Sequence, residues 1–546
     1  MPDAREFKAR LDKLKAQRMN FDTLWQEVQE LVWPDGDQFL RQDARGSKKT
    51  QYVYEMSAAN ALEKFASAME SFLTPRFSRW HGLRATDDNL MKEKEVKEFF
   101  ETVTNTLFKN RNSPQARFYG QMHEYQKSLG AYGNGCLYVD EAASGRGVRY
   151  KYTPVGRCWI EVDHQNIVDT LYYEYPLSAK AAAQKWPHAV PPRAALAIDQ
   201  GNVFQEHEYL HVVMPNSDLD PERKDAGGMP FRGSDISVAD DETIPTPGGE
   251  EFAGFHEFPY LWGRYTLNPA ERYGRGPAML VLPDIQTLQE MEKTFIRSGH
   301  KVADPPLLVA HDGRMGRGRR QIRLTPGGLN YGAIDESGRP KIQPLQTGAR
   351  LDMTKEMMDQ KRDAIDDVFL VKIFDIMARD RVEMTATEVL ERAKEKGQLI
   401  TPVVGRQQAE LLGPLITREI GVLQRQGVLP PVPPALAEAD GAYEIEYEST
   451  ATRMQGSDEV AAYQRLVEVF SVQANVNPEI LDVFKAEDAI RDFGETLGIR
   501  PSLFMSPKEM KALREAEAQA AQEAAAVEQA QGMAGAARDA EAAGVI

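Results

Sequence analysis

The pentapeptide His207-Glu208-Tyr209-Leu210-His211 is the sharpest chemical signal in the chain. It matches H-E-x-x-H, in which two imidazoles hold zinc and the glutamate acts as general base. That chemistry needs an α-helix, where residues i and i+4 stand one turn apart on one face. Here the motif lies in NVFQEHEYLHVVMPN, a stretch of strand length rich in β-branched and aromatic residues. In a strand the two histidines point the same way but stand roughly 13 Å apart. One zinc with ligand bonds of about 2 Å cannot bridge them. The residues predict a strand without a metal; a zinc metallopeptidase resting on His207 and His211 is the alternative.

Gly274-Arg275-Gly276 has Met279 where a dinucleotide fingerprint has its third glycine, and no G-x-x-x-x-G-K-[ST] loop occurs. The glycines read as a tight turn into a helix, and no cofactor is expected. A basic cluster follows at His311–Arg323, with Arg314, Arg317, Arg319, Arg320 and Arg323 crowded into a Gly-rich stretch. Such arginines suit DNA phosphates or an acidic partner; a solvated loop is the other reading. Arg379 and Arg381 can also face DNA, with Asp375 and Asp380 beside them. No Ser-His-Asp or Cys-His set stands out, so no catalytic residue is named.

The chain that must position these residues has 546 of them, enough for about three to five folding units. A formal net charge of −16 argues against a protein that grips nucleic acid statically. It is compatible with a surface past which DNA slides, because repulsion lowers sticking. No apolar run is long enough to span a membrane, and the charged start MPDAREFKARLDKLKAQ predicts no secretory signal. Cys136 and Cys158 are the only cysteines, which suits a reducing compartment; a single disulfide between neighbouring strands is the alternative.

Periodicity predicts helices over 5–33, 55–73, 93–109 and 115–131. Short β-branched and aromatic runs then predict strands at CLYVDE, VRYKYTP, CWIEVD and VDTLYYEYP, a short helix from Ser178 to Trp186, and strands over 203–214 and 252–266. Residues 216–251 are rich in Pro, Gly and acids and read as a loop-like insertion. An amphipathic helix follows the Gly274–Gly276 turn, ends at Gly299 and breaks at Asp304-Pro305-Pro306; a second begins near Arg350. Two matched helices bracketing a small insert suggest a stalk with a tip. Thr385 and Glu388 form a capping box, the Thr hydroxyl accepting from the Glu amide while the carboxylate reaches back. A helix over 403–426 contains Pro414, which should kink it. A strand at 442–450, helices over 457–498 and an Ala/Glu-rich helix from 506 complete the chain. No repeat of 20–50 residues argues for a solenoid.

In this order the segments resemble the head-to-tail connector, or portal, proteins of short-tailed double-stranded DNA phages. The resemblance rests on GFHEFPYLWGRYTLNPAERYGRGPAMLVLPDIQTLQEMEK (Gly254–Lys293), DPPLLV (Asp304–Val309), RDRVEMTATEVLERAKEK (Arg379–Lys396) and LLGPLITREIGVLQRQGVLPP (Leu411–Pro431), supported by GAYGNGCLYVDE (Gly130–Glu141). It implies an α+β, mainly helical subunit with wing, helical stem, α/β clip and helical crown. Residues 1–276 would be a helical and β-rich wing region, 277–301 and 350–374 the stem helices, and 302–349 the clip. Residues 375–384 would be a tunnel loop, 385–452 the returning wing, 453–505 the crown and 506–546 a tail.

It implies a ring of about twelve subunits at one capsid vertex of the virion, assembled in the host cytoplasm. The ring would pass double-stranded DNA for packaging, retention and ejection. Its partners would be the terminase packaging motor, a tail adaptor, and capsid and scaffolding proteins. About twelve helices, each ~10 Å wide, lie on a circle ~38 Å across and leave a bore near 28 Å, wide enough for a duplex. Arg314, Arg317, Arg319, Arg320 and Arg323 would serve clip docking, and Arg379, Asp380 and Arg381 would face DNA. A non-portal DNA-binding or scaffold protein is the remaining alternative.

Overall fold

The computed structural model describes residues 4–41, 53–142, 145–309, 351–372, 400–438 and 441–447, with short pieces within 44–51, 334–344 and 510–522. Helices are α1 (Ala4–Leu31), α2 (Ser57–Leu73), α3 (Lys94–Arg111), α4 (Phe118–Tyr132), α5 (Ala179–Lys185), α6 (Pro192–Asp199), α7 (Pro277–Ala303), α8 (Leu351–Val368), α9 (Gly413–Arg425) and α10 (Pro434–Glu438). Strands are β1 (His81–Ala85), β2 (Asn134–Glu141), β3 (Val148–Tyr152), β4 (Cys158–Val162), β5 (Val168–Ser178), β6 (Glu206–Pro215), β7 (Phe231–Ser237), β8 (Glu242–Ile244), β9 (Ala253–Phe255), β10 (Tyr260–Arg264), β11 (Leu307–Val309), β12 (Ile342–Pro344) and β13 (Tyr443–Tyr447). The chain is thus mixed α and β, and it divides into two compact units: Met1–Arg76 with Asn110–Val428, and Phe77–Lys109 with Leu429–Ile546.

In the first unit α1 lies across an antiparallel sheet. Phe7, Leu11 and Leu14, at helical spacing, pack on Trp159, Tyr172, Leu210, Val212, Met214 and Ile236 from alternate sheet positions. Each fully buried large side chain contributes roughly 1.5–3 kcal/mol. Arg18 interrupts this stripe yet is only 2% exposed. It is kept there by the carbonyls of Val155 (3.1 Å), Gly156 (2.8 Å) and Cys158, by Asp22 at 2.8 Å, and by the Trp159 ring 4.4 Å away. A buried guanidinium is tolerated when its charge is paired and most of its donors are met, here both terminal nitrogens by carbonyls.

The sheet runs β4-β5-β6-β7-β8, with β9 also on β7. The loop-like reading of 216–251 is therefore corrected. β7 is an interior strand, pairing Tyr209↔Ser237 through Pro215↔Phe231 with β6. Its sequence FRGSDIS hides this because its polar residues are matched by distant partners. Asp235 accepts from Lys185 (3.1 Å) and the Trp186 indole (3.1 Å), and Gly233 makes room for Phe255. Helix α6, hidden behind Pro191 and Pro192, is a further element the periodicity did not predict; Pro at its first position suits a helix start.

His207–His211 runs in β6, as expected, opposite Leu177–Tyr173 of β5. Burial pushes the His211 imidazole pKa down, and its Nδ1 lies 2.6 Å from the Tyr260 hydroxyl; Glu208 faces Arg157 at 3.4 Å. Among the described residues no group of three or more His, Cys, Asp or Glu converges as a metal site. Cys136 and Cys158 are free and buried.

The second sheet, β10-β2-β3, packs under α4. The helix over 400–425 departs from regularity where Pro414 removes a donor: Gln408–Leu412 form a π turn before α9. That turn presents Gln407 and Glu410 to β10. Gln407 donates to the Arg264 carbonyl (2.8 Å) and accepts from Tyr125 (2.9 Å), while Glu410 takes the Arg264 guanidinium at 2.8 Å.

α2 and α4 are clasped by His123, whose ring nitrogens lie 3.1 Å from Glu70 and 2.8 Å from Glu63. The hydrogen bond to Glu70 raises the His123 pKa against the opposing effect of burial. A raised folded-state pKa contributes stability fully below the unfolded value of about 6.5 and loses it as pH rises through the folded value. The melting temperature of wild type minus that of His123→Asn is expected to be positive at acid pH and to shrink above neutrality. A difference flat with pH would show that the clasp is uncharged.

The second unit contains the antiparallel pair β1–β13, in register from His81↔Tyr447 to Ala85↔Tyr443. Val96, Phe100, Val103 and Leu107 give α3 a buried face, and Trp80, His81 and Phe108 pack ring on ring, the last two stacked at 4.9 Å.

Candidate functional site: a helix pair rooted in a glycine-lined turn

The turn before α7 packs backbone against backbone. Gly274 donates to the Asn134 side-chain oxygen (2.8 Å), and the Asn134 amide donates to the carbonyls of Gly274 (3.0 Å) and Tyr132 (2.8 Å). A Cβ on Gly274 would stand 2.5 Å from the Gly133 oxygen, and one on Gly276 2.7 Å from the Gly133 nitrogen. The Gly274-Arg275-Gly276 sequence is explained by this close approach to the end of α4. Gly133 is itself left-handed, with φ 70°, and caps α4 by donating to the Leu129 carbonyl. The buried Tyr273 hydroxyl accepts from the Ile160 amide at 3.3 Å and its ring meets Trp25 edge-on at 5.5 Å.

From this root α7 extends 27 residues, about 40 Å. It continues through Gly299 to Ala303 and stops at Asp304, before Pro305. Gly299 does not end the helix as expected, because nothing there demands a left-handed residue. All its buried residues lie between Pro277 and Gln289; beyond that point the helix leaves the core. α8 returns beside it. Ile285 and Leu288 on α7, and Met358, Ile365 and the following Phe369, are buried apolar residues along the pair, and Lys361 meets Asp284 at 2.6 Å. Arg362 reaches Glu292 and Glu55, each at 3.4 Å. These pairs are partly exposed, so they set register more than stability. Gln289 ties the helix to the segment before α2, accepting from the Tyr54 amide (2.7 Å) and donating to the Glu55 carbonyl (2.6 Å).

Beyond α7, β11 pairs antiparallel with β12, Leu307↔Pro344 to Val309↔Ile342. The intervening chain therefore leaves and returns at one place. On α8 the exposed residues Glu356, Asp359, Asp363 and Asp367 share one face by their three- and four-residue spacing. On the last turns of α7 the exposed residues Arg297, His300 and Lys301 are basic or titratable.

The arginines Arg314, Arg317, Arg319, Arg320 and Arg323, the loop residues Arg379, Asp380 and Arg381, and the capping pair Thr385 and Glu388 all lie outside the described residues. What the structure brings together at the helix pair instead is Asn134, Gly133, Gln289, Asp284, Lys361 and Arg362. Gly133, Asn134, Asp284 and Gln289 lie in the Gly130–Glu141 and Gly254–Lys293 segments; Lys361 and Arg362 lie in none of the quoted segments. The Gly274 and Gly276 spacing and the two amphipathic helices around an insert pointed to this place, but not to the side-chain contacts that hold it.

A protein-family profile described as "Bacteriophage head to tail connecting protein" matches residues 4–505. The chain is 26% identical to the "Probable portal protein" of Bordetella phage BPP-1 over 95% of its length and 93% of that protein's. It is 24% identical to the "Portal protein" of Salmonella phage epsilon15 over 95% and 91% of the two chains. A chain from the solved "Virion of native gene transfer agent (GTA) particle" aligns with 75% of this chain and 85% of its own at 10% identity and a TM-score of 0.34, too low to decide the fold. With a match spanning nearly the whole chain, this protein belongs to the bacteriophage head to tail connecting family.

Proposed function

We propose that this chain is the portal subunit of a phage: copies form a closed ring at one capsid vertex, and the ring is the channel for genome packaging, retention and ejection. The observation that carries this is the family match over residues 4–505, in which two near-full-length relatives are named portal proteins. The helix pair α7–α8 suits the stem, with the segment between them as clip, the chain before α7 as wing and the residues after 452 as crown and tail. On this reading the acidic face of α8 turns to the bore, where like charge keeps a duplex from sticking. The loop with Arg379, Asp380 and Arg381 approaches the DNA, and its mixed charge allows brief phosphate contacts.

Native mass spectrometry of the purified protein is expected to show a ring of about twelve chains, a closed cyclic assembly of the usual kind. A stable monomer at micromolar concentration across salt conditions would sink the reading. Arg317, Arg319 and Arg320 are assigned to docking of the packaging motor or tail. Exposed charges in a Gly-rich loop add little to folding. The triple alanine variant is therefore expected to assemble normally and to bind motor or tail components more weakly. If it fails to fold, these arginines are structural.

A further inference from the structure

A cavity of about 310 Å³ in the first unit is lined by Trp33 and Asp35–Gln38 after α1, Glu124 of α4, Tyr152 of β3, and Pro154 and Arg157 before β4. Nothing in the portal role uses it. Three carboxylates, Asp35, Asp37 and Glu124, share its wall with one guanidinium, and Arg157 already faces Glu208 at 3.4 Å. Asp37 is only 7% exposed. It accepts from the Tyr152 hydroxyl (3.1 Å) and the Gly156 amide (3.1 Å), which leaves acceptor capacity on a carboxylate. The fully buried Tyr132 hydroxyl abuts Gly36 in the cavity wall, 2.6 Å from where a Cβ would stand. It lies behind that wall against the Asp37 amide and does not itself line the cavity. The indole of Trp33 already attracts one ammonium, that of Lys127 at 5.0 Å, which is itself held by Glu63 at 3.2 Å.

We propose that this cavity binds an alkylammonium group, presented by a linear aliphatic polyamine. The carboxylates supply opposite charge, and Trp33 and Tyr152 supply aromatic walls for the methylene chain. A point-like divalent ion is the poorer fit, because these carboxylates do not converge as a metal-binding group. The size agrees with small-ligand sites of roughly 300–1,000 Å³. Burial raises the Asp37 pKa to about 6, against hydrogen bonds from Gly156 and Tyr152. Binding then carries a signature: a cation favours the ionised carboxylate, so affinity falls as pH drops through that value, by up to about tenfold per pH unit.

Isothermal titration of the assembled protein with 1,4-diaminobutane tests this. The expected result is saturable binding with a Kd of about 1 mM or tighter at neutral pH, weaker at pH 5 and weakened about tenfold or more by Asp37→Asn. Glu124→Gln, at a half-buried position of α4, is the second variant should Asp37→Asn not fold; it is expected to weaken binding several-fold. Nα-acetyl-lysine amide, run in parallel, distinguishes the source: tighter binding of the diamine supports a free polyamine, and tighter binding of the lysine analogue assigns the same ammonium site to a protein side chain and overturns the polyamine. No saturable binding of either, or binding unchanged in both variants and with pH, overturns the site.

Discussion

Replacing Arg111 by Ala is expected to cost about 3–5 kcal/mol of stability, the range for stranding one member of a buried ion pair. Arg111, at the end of α3, and Glu419, on α9, both have side chains with no exposure. The guanidinium holds the carboxylate through Nε at 3.0 Å and through Nη2, and the Tyr150 hydroxyl donates to the same carboxylate. Burial favours loss of the Arg111 proton, but Glu419 outweighs it and holds the Arg111 pKa above its usual value. Without Arg111 the partner left to the Glu419 carboxylate among the described residues is the neutral Tyr150 hydroxyl. Removing both charges is a different matter: Arg111→Met with Glu419→Leu leaves no stranded ion and is expected to recover most of the loss. Denaturant unfolding of the single and double variants measures this. A single variant within about 1 kcal/mol of wild type would show that water reaches the pair.

Gly133→Ala is expected to be nearly as damaging, about 3 kcal/mol or more, because two named mechanisms act together. The residue sits at φ 70°, which any side chain resists. The added Cβ would also stand 2.3 Å from the Arg275 carbonyl carbon and the Gly276 nitrogen, and backbone cannot swing aside as a side chain can. The turn that roots α7 must shift, so the variant is expected to lose ring assembly as well as melting temperature. Gly120→Ala in α4 is the control. Nothing lies within 4 Å of a Cβ there, and Ala in a helix is expected to be neutral or stabilising by up to about 1 kcal/mol. If the two variants behave alike, the close approach of the α4 cap to the α7 turn is not a determinant of the fold.

Most helices were legible because their signals are local. The apolar spacing of Phe7, Leu11 and Leu14 and the stop at Pro34 mark α1, and the Pro305-Pro306 break marks the end of α7 whatever surrounds it. The strand character of His207–His211 was legible for the same reason, as its β-branched and aromatic flanks overrode the zinc pattern. Pro414 announced an irregularity but not its form. The π turn at Gln408–Leu412 sets Glu410 and the adjoining Gln407 against Arg264 and Tyr125, partners far away along the chain that Pro414 alone does not announce.

Short-range periodicity and motifs along the chain carry most of the element order, the paired helices around an insert, and the family; β7, β8 and α6 escaped them. Which polar residues are buried, and which glycines cannot be replaced, depend on contacts made through space. β7 looked like a loop because Asp235 is neutralised by Lys185 from another element. Arg18, which interrupts the apolar stripe of α1, is buried by carbonyls from Val155, Gly156 and Cys158, and Arg111 meets a partner 308 residues away. Asp37 gave no signal until Tyr152 and Gly156 were seen to hold it in a cavity wall. In each case the free energy depends on desolvation and on a partner supplied through space, and neither is a property of a residue's neighbours along the chain.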